Sequence, residues 1–400
     1  MYYDVIVAGG SASGLSAAIN AKRKHPEYTV AVLEKLPRVG KKILSTGNGR
    51  CNLTNLNALK HNYRLKNFTE AAFENYPPEK VIGFFASLGL LTYSDKEGRV
   101  YPRSNTATAV LDALRFGAEK ENVVFITETG VEKVKKAEEK FIINGKYECR
   151  YFILATGGKS SPAQGSDGSG FPVAKSFSHK VTVLFPALVP LCAKPESVRS
   201  LKGIRATNVR LQLDDKITAG EILFTDSGVS GIAAMELAST AERLLYDAEK
   251  PELVIDFLPE IDKETLISYL ENTVAVKNGQ PMENLLSGIL PKQLGVFLMK
   301  NCEIFRGDAL ITVMSKNMVE ALADEIKAFS IEITGTKGFR DSQVTSGGVR
   351  TDEINEETME SRLVKNLYFA GEIIDVDGDC GGFNLQWAFA SGLLAGELND

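Results

Sequence analysis

Near the amino end, a short run of residues has the types and spacing of a phosphate-and-ribose site. Gly9, Gly10, Ser11, Ala12, Ser13 and Gly14 follow one another, and Glu34 stands twenty residues after Gly14. Glycines let a backbone turn tightly and approach a pyrophosphate. A helix that opens there turns free N–H groups and a partial positive charge towards the phosphates. A carboxylate about 20 residues further on accepts hydrogen bonds from a ribose. The chemistry such residues serve is the holding of a dinucleotide.

The flanking sequence supplies the elements that must position them. Asp4–Ala8 is a short, β-branched run and reads as a buried parallel strand. Leu15–Ala21 has the small residues of a tightly packed helix, and Tyr28–Leu33 reads as the next strand, ending at Glu34. Ser11 stands where the usual fingerprint has its second glycine. Alone, such a motif would also fit a doubly wound turn without a nucleotide. The order strand, glycine turn, helix, strand, acid is what points to a dinucleotide.

The stretch after Glu34 selects between cofactors. A nicotinamide dehydrogenase would continue with alternating strands and helices. Here Lys35 leads into Arg38–Asn55, a long loop rich in Gly and Asn with cations among them. Lys42, Gly47, Arg50, Cys51 and Asn52 are its candidate contacts to an extended cofactor, through backbone N–H groups and positive charge. Successive strands are expected over 123–127, 131–136, 140–144 and 147–155, with a tight turn at Asn144-Gly145. The segment at Val131 is placed to frame an adenine, and Ala155-Thr156-Gly157 to close over the cofactor. At the other end of the chain, strand 366–370 runs into Gly371-Glu372. Two acids and the diglycine Gly381-Gly382 then precede a helix over 385–396. Asn384 and Leu385 lie at its start, where its amino end suits the flavin of FAD and stabilises the negative charge of the reduced ring. The reading is an FAD site built from both ends of the sequence.

Composition excludes other classes. The 400 residues carry a net charge of −5, with 44% hydrophobic and 24% charged residues, enough for a multidomain globular chain with a real core. No Lys/Arg run could grip a nucleic acid or an anionic membrane. No signal peptide or membrane-length apolar run is seen, so a cytoplasmic location is expected. The five cysteines are scattered without a CxxC pair, and the three histidines lack metal-ligand spacing, so no disulfide framework and no metal are expected. His25, His61 and His179 lie outside the cofactor segments, so the FAD is expected to be noncovalent.

The blocks Lys41–Asn55, Gly98–Pro102, Ala155–Gly170, Gly220–Gly231 and Gly371–Ala388 resemble the signatures of the BaiN-like (YhiN-type) family of bacterial FAD-dependent oxidoreductases. This chain departs from that family at Ser11, Asn48, Asp226 and Cys380, the last two nearer the substrate side. The resemblance implies an α/β fold: a Rossmann-type FAD-binding domain built from both chain ends, an inserted β-rich domain and a nested helical domain. The corresponding boundaries are 1–186 with 345–400, 187–260 with 328–344, and 261–327. Strand-like runs at 181–184, 209–213, 253–257 and 331–333, and helical spacing at 266–270, 294–299 and 318–326, agree with it.

No second glycine fingerprint opens a helix in mid-chain, because Gly157–Gly170 carries Pro162 and reads as a loop. NAD(P)H is therefore expected to act only as a transient donor. The expected function is an FAD-dependent oxidoreductase that transfers a hydride through flavin N5, a reductase or dehydrogenase of a small or cyclic metabolite. The resemblance suggests an enone. Two alternatives stay open: an amine oxidase, aminoacetone-oxidase-like, passing electrons to O2, and a non-catalytic flavin-binding protein. Tyr101, Arg103 and Cys380 are candidate proton donors, each also suited to packing or loop support. No catalytic residue is assigned.

Overall fold

The computed structural model describes residues 1–65 and 67–398. The chain forms two compact units, Met1–Phe185 with Phe339–Asp400, and Pro186–Gly338.

The first unit is built on a seven-stranded sheet. Val124–Ile126, Val30–Leu33, Tyr2–Ala8 and Tyr147–Leu154 lie side by side and parallel. The far edge of Tyr147–Leu154 is shared. Its second half pairs in parallel with Leu367–Phe369, and its first half pairs antiparallel with Lys140–Ile143, which pairs in turn with Val134–Ala137. Val5, Ile6, Val7, Val32 and Ile153 are fully buried, as continuous apolar strands covered on both faces must be. The Asn144-Gly145 turn has both residues at positive φ, the geometry that matches the twist of a two-residue hairpin.

Two helices lie against each other beside this sheet, the first (Ala12–Lys24) and the last (Phe383–Ala395). Their contact is backbone-close. A Cβ added at Gly392 would lie 2.3 Å from Ser16 Oγ and 2.4 Å from the Ser13 carbonyl oxygen, and one at Gly396 would lie 2.4 Å from the Ala17 carbonyl oxygen. Asn20 Nδ2 donates to the Leu393 carbonyl at 2.6 Å. Ser13 faces Gly392 and Ala17 faces Gly396, so the two helices run in the same direction.

The second unit is a closed barrel of six antiparallel strands: Leu191–Ala193, Gly228–Ser230, Lys216–Phe224, Arg205–Leu213, Glu252–Asp256 and Phe329–Thr336. Helices Lys263–Val276, Lys292–Asn301 and Lys316–Lys327 are inserted between its last two strands in sequence and share its core. Buried Asp256 accepts from Lys327 Nζ at 2.9 Å, tying the last of these helices to the barrel. The expected fold class, a Rossmann-type domain from both ends with an inserted β-rich part and a nested helical part, is the one observed.

One expected strand is absent. Residues 181–184 form only an isolated bridge, Val181 to Val349. The neighbouring backbone turns at Gly347 (φ +104°), which approaches the Val183 carbonyl too closely for a side chain and takes the place of a ladder.

The glycine contact gives a sign test. Alanine at a helical glycine gains up to ~1 kcal/mol of helix propensity, whereas overpacking costs ~1–3 kcal/mol. Gly392→Ala is therefore expected to lower the urea midpoint. A raised midpoint would mean that the helices do not meet there.

Candidate flavin site

The opening strand ends at Gly9, whose φ of +104° and contact with the Ala155 carbonyl leave no room for a side chain. The first helix begins after Ser11, whose hydroxyl makes no capping bond, so the N–H groups of its first turn are left to another partner. Gly14 sits against the Gly9 carbonyl, 1.8 Å from where a Cβ would be. Glu34 is buried, and its carboxylate accepts from the N–H of Gly10 at 2.9 Å and of Leu36 at 2.8 Å. Those bonds fix its orientation and leave further lone pairs for a ribose. Lys35 pairs with Asp167 at 2.6 Å. Thr129 N–H donates to the Glu34 carbonyl, bringing the Val131 segment alongside.

The loop after Lys35 is folded by left-handed backbone at Gly47, Asn48, Gly49 and Cys51. Lys42 crosses to the carboxyl end of the chain and pairs with Glu372 at 2.6 Å, while the other Glu372 oxygen accepts from the Thr345 N–H at 2.6 Å. Gly371 comes directly after the strand Leu367–Phe369 and Ala370. Its N–H donates to Ser391 Oγ at 2.9 Å, and its carbonyl accepts from Trp387 Nε1 at 3.2 Å. The last helix starts at Gly382 (φ +100°), where a Cβ would meet the Thr54 carbonyl at 2.7 Å and Asn52 Oδ1 at 2.8 Å. Asn384 holds this loop from within: its side chain accepts from the Gly378 N–H and donates to the carbonyls of Gly378 and Asp379. Leu385 is half-buried one residue on.

The two helix amino ends thus face the same way. Gly392, nine residues after Phe383, is level with Ser13, one residue after Ala12, so the ends are offset by about 12 Å along the helix direction. The first suits a pyrophosphate and the second a ring beyond it. One buried side-chain oxygen at the rim, Asn52 Oδ1 beside Gly382, has no hydrogen-bond partner among the described residues. A buried oxygen left unpaired costs ~1–3 kcal/mol, so it calls for a polar ligand. The residues present fit an FAD.

Every candidate cofactor residue read from the sequence falls in one of these segments, and the structure adds one group to them. Arg64 lies in an unremarkable stretch and donates to both Asp375 and Asp377, the latter at 2.8 Å through Nε. Thr182 Oγ1 donates to Asp375 at 3.1 Å, and Ser346 Oγ to Asp377 at 2.9 Å. Burial pushes the Asp375 carboxyl above its ordinary range, against the pull of Arg64. Tyr63 donates to the Phe383 carbonyl at 2.7 Å, so residues 63–64 hold the segment from which the last helix springs. The crowding of two acids before a diglycine was the available signal that a cation must come from elsewhere. Of the three candidate proton donors, Tyr101 is buried beneath the Arg50 guanidinium, Arg103 is exposed, and Cys380 is half-buried in the loop before Gly382.

The family model for the HI0933-like protein Rossmann domain matches residues 3–398. The chain belongs to this family. It is 36% identical over 399 residues to the 3-dehydro-bile acid delta(4,6)-reductase of Clostridium scindens, spanning 98% of this chain and 97% of that protein. It is 30% identical over 397 residues to the ribosomal RNA dihydrouridine synthase of Escherichia coli, spanning 97% and 96%. The fold of 3-ketosteroid delta1-dehydrogenase from Sterolibacterium denitrificans superposes with a TM-score of 0.52 at 14% identity, covering 99% of this chain and 98% of that one. The resemblance to BaiN-like (YhiN-type) enzymes therefore holds over the whole chain, and the protein is an FAD-dependent oxidoreductase of the HI0933-like family. Among the described residues, no helix is long and apolar enough to cross a membrane.

Two measurements probe this site. Removing Arg64 leaves Asp375 and Asp377 buried without their cation, and Arg64→Met is expected to cost about 3 kcal/mol, the low end for a broken buried pair because Arg64 is partly exposed. The Asp375 carboxyl, which burial already pushes up and Arg64 pulls down, then titrates further above its unfolded value, so its folded-state penalty grows as pH rises. Thermal melts should accordingly show a larger deficit at pH 8 than at pH 5; an equal deficit at both would mean that the carboxylates are not what Arg64 serves. Separately, burial pushes the Cys51 thiol up to about 12. Mass spectrometry after iodoacetamide at pH 8 should find Cys51 unlabelled in the folded protein and labelled in urea.

Proposed function

We propose that the protein is an FAD-dependent reductase of a carbon–carbon double bond conjugated to a carbonyl, with NAD(P)H as the source of reducing equivalents and a small or cyclic molecule as substrate. The observation that carries this is the amino end of the last helix, opened by a diglycine and anchored by Tyr63 and Arg64, at the place where negative charge on a bound ring is stabilised. The two relatives support the bond type. A delta(4,6)-reductase acting on a 3-dehydro compound and a synthase of dihydrouridine both saturate a C=C conjugated to a C=O, on very different molecules.

Bound noncovalently, FAD would supply a hydride to the β-carbon of such a substrate, and a proton from solvent would complete the reduction at the α-carbon. The chain's own residues do the rest. The amino end of the first helix, from Ser11 to Gly14, would receive the pyrophosphate, and Glu34 the adenosine ribose, with Lys35 and Val131 beside it. Lys42 and Glu372, paired to each other, would flank the ribityl chain and keep net charge low there. Asn52, Thr156 and the backbone of Ala155, Gly157 and Gly371 would line the remainder, while Gly47, Arg50 and Cys51 shape the loop. Gly382, Asn384 and Leu385 would bring the N–H groups of the last helix's first turn towards the ring.

The test is anaerobic incubation of the purified, yellow protein with a reductant and two probes, a 3-oxo-4,6-diene steroid acid and a uridine oligonucleotide. Loss of the double bond in either probe, with flavin released by acid precipitation, is expected. In a parallel aerobic incubation with an amine, peroxide formation, with neither probe reduced anaerobically, would establish an oxidase instead. A protein that neither carries nor takes up FAD would overturn the assignment entirely.

A further inference from the structure

Next to the diglycine lies a surface that shares only Arg50 with the proposed cofactor contacts. Thr54–Asn55, Arg99–Pro102 and Thr92–Ser94 form a three-stranded antiparallel sheet. Its register sets Asn55 opposite Arg99 and Tyr93 opposite Tyr101. Side chains alternate along a strand, so Asn55, Arg99, Tyr101 and Tyr93 share one face, while Thr54 on the other face bonds buried Gln386 at 2.6 Å. Asn55 Nδ2 donates to the Gly381 carbonyl at 3.0 Å, which joins this face to the loop that opens the last helix.

The face is cationic and flat. The Tyr93 and Tyr101 rings are 6.0 Å apart. The Arg50 guanidinium lies 4.7 Å over the Tyr101 ring, and that of Arg103 lies 5.8 Å over the Tyr93 ring. Arg99 between them is neutralised by Asp95 and Glu97. Arg50 and Arg103 are both exposed, and among the described residues neither forms an ion pair; Arg50 Nε makes only a 3.4 Å contact with the Gly47 carbonyl. Single Arg–aromatic stacks recur about once in 70–80 residues and carry no message alone. Two on touching rings, both without a carboxylate, on a sheet that Asn55 ties to the loop before the last helix, are a different arrangement. A guanidinium lying on a ring keeps its N–H edge free for an anion and offers its plane to a further ring.

We propose that this face is the docking site of the nicotinamide dinucleotide. Arg50 and Arg103 take its phosphates, and one of its rings lies on the Arg–Tyr planes. The proposal rests on the reading of NAD(P)H as reductant and supplies what the chain otherwise lacks, a place for that molecule without a second Rossmann domain. Two guanidiniums match the few phosphates of a dinucleotide. They do not form the stripe of cations that a nucleic-acid backbone requires, and the net charge of −5 adds none.

Calorimetric titration of the full-length, FAD-loaded protein with NADP+ and NAD+ tests this without turnover. Arg103→Met and Arg50→Met should each weaken binding of the preferred dinucleotide about tenfold or more, the loss of one charge-assisted hydrogen bond, and added salt should weaken the wild type. Lys194→Met, which removes an exposed charge on the barrel, should bind as the wild type does. Flavin absorbance identifies any variant that has lost FAD; if Arg50→Met does so, Arg103→Met carries the test. Unchanged affinity in the flavin-loaded Arg variants, or no binding of either dinucleotide to the wild type, overturns the proposal. So does a loss confined to a uridine oligonucleotide. Failure here and failure of the reductase reading are separable: probe reduction driven by dithionite in a protein that binds no dinucleotide overturns the docking site alone, and dinucleotide binding without probe reduction overturns the reductase alone.

Discussion

The structure of the first unit depends on one close contact, between the first helix and the last. At Gly392 and Gly396 the two backbones approach until no Cβ fits between them, with Ser13, Ser16 and Ala17 opposite. Dispersion and the Asn20 bond to the Leu393 carbonyl hold the pair. The contact fixes more than packing. Because the helices run the same way, it sets the distance between their amino ends, and each of those ends carries a partial positive charge that a cofactor with an anionic middle and an electron-rich end can use. A slip of one turn would move one end by about 5 Å relative to the other. Small residues at that seam therefore act on the site without touching it.

Around this seam the charged groups are arranged in pairs that cross the sequence. Lys42 meets Glu372, and Arg64 meets Asp375 and Asp377. Each pair joins the amino-terminal loop to the carboxyl-terminal segment. Half-buried ion pairs are poor sources of net stability. Their value here is directional: a carboxylate with its lone pairs already assigned, as in Glu34 and Glu372, presents the remaining ones at fixed angles.

Much of this was legible in the sequence, for identifiable reasons. The runs at 5–8 and 151–155 are apolar throughout and buried on both faces, which is what a covered parallel strand requires. Gly9, Gly14 and Gly382 are glycines because carbonyls lie where their side chains would be, and steric demands of that kind show up as residue identity. Arg64 was not legible because nothing local requires it; its partners lie more than three hundred residues away in the chain. Residues 181–184 misled because β-branched Val181, Thr182 and Val183 followed by Leu184 have the composition of a strand, while the neighbour that would pair with them turns away at Gly347. The Arg–Tyr face was visible only in part. Tyr101 and Arg103 stood out as types, but the stacking of Arg50 on Tyr101 needs the register of a sheet whose strands are two to four residues long.

The seam also dictates an order of events during synthesis. Residues 383–396 leave the ribosome only after the whole of the barrel and its helices, residues 186–338, has been made. Until then the first helix has its glycine turn but no partner along its small-residue face. The nascent chain can assemble the strands Tyr2–Ala8, Val30–Leu33, Val124–Ile126 and Tyr147–Leu154, yet not the second helix end or the diglycine. The barrel, with a core of its own, is free to fold while the amino-terminal segment waits. The pairing of the first and last helices therefore forms only after the residues of the barrel have been made.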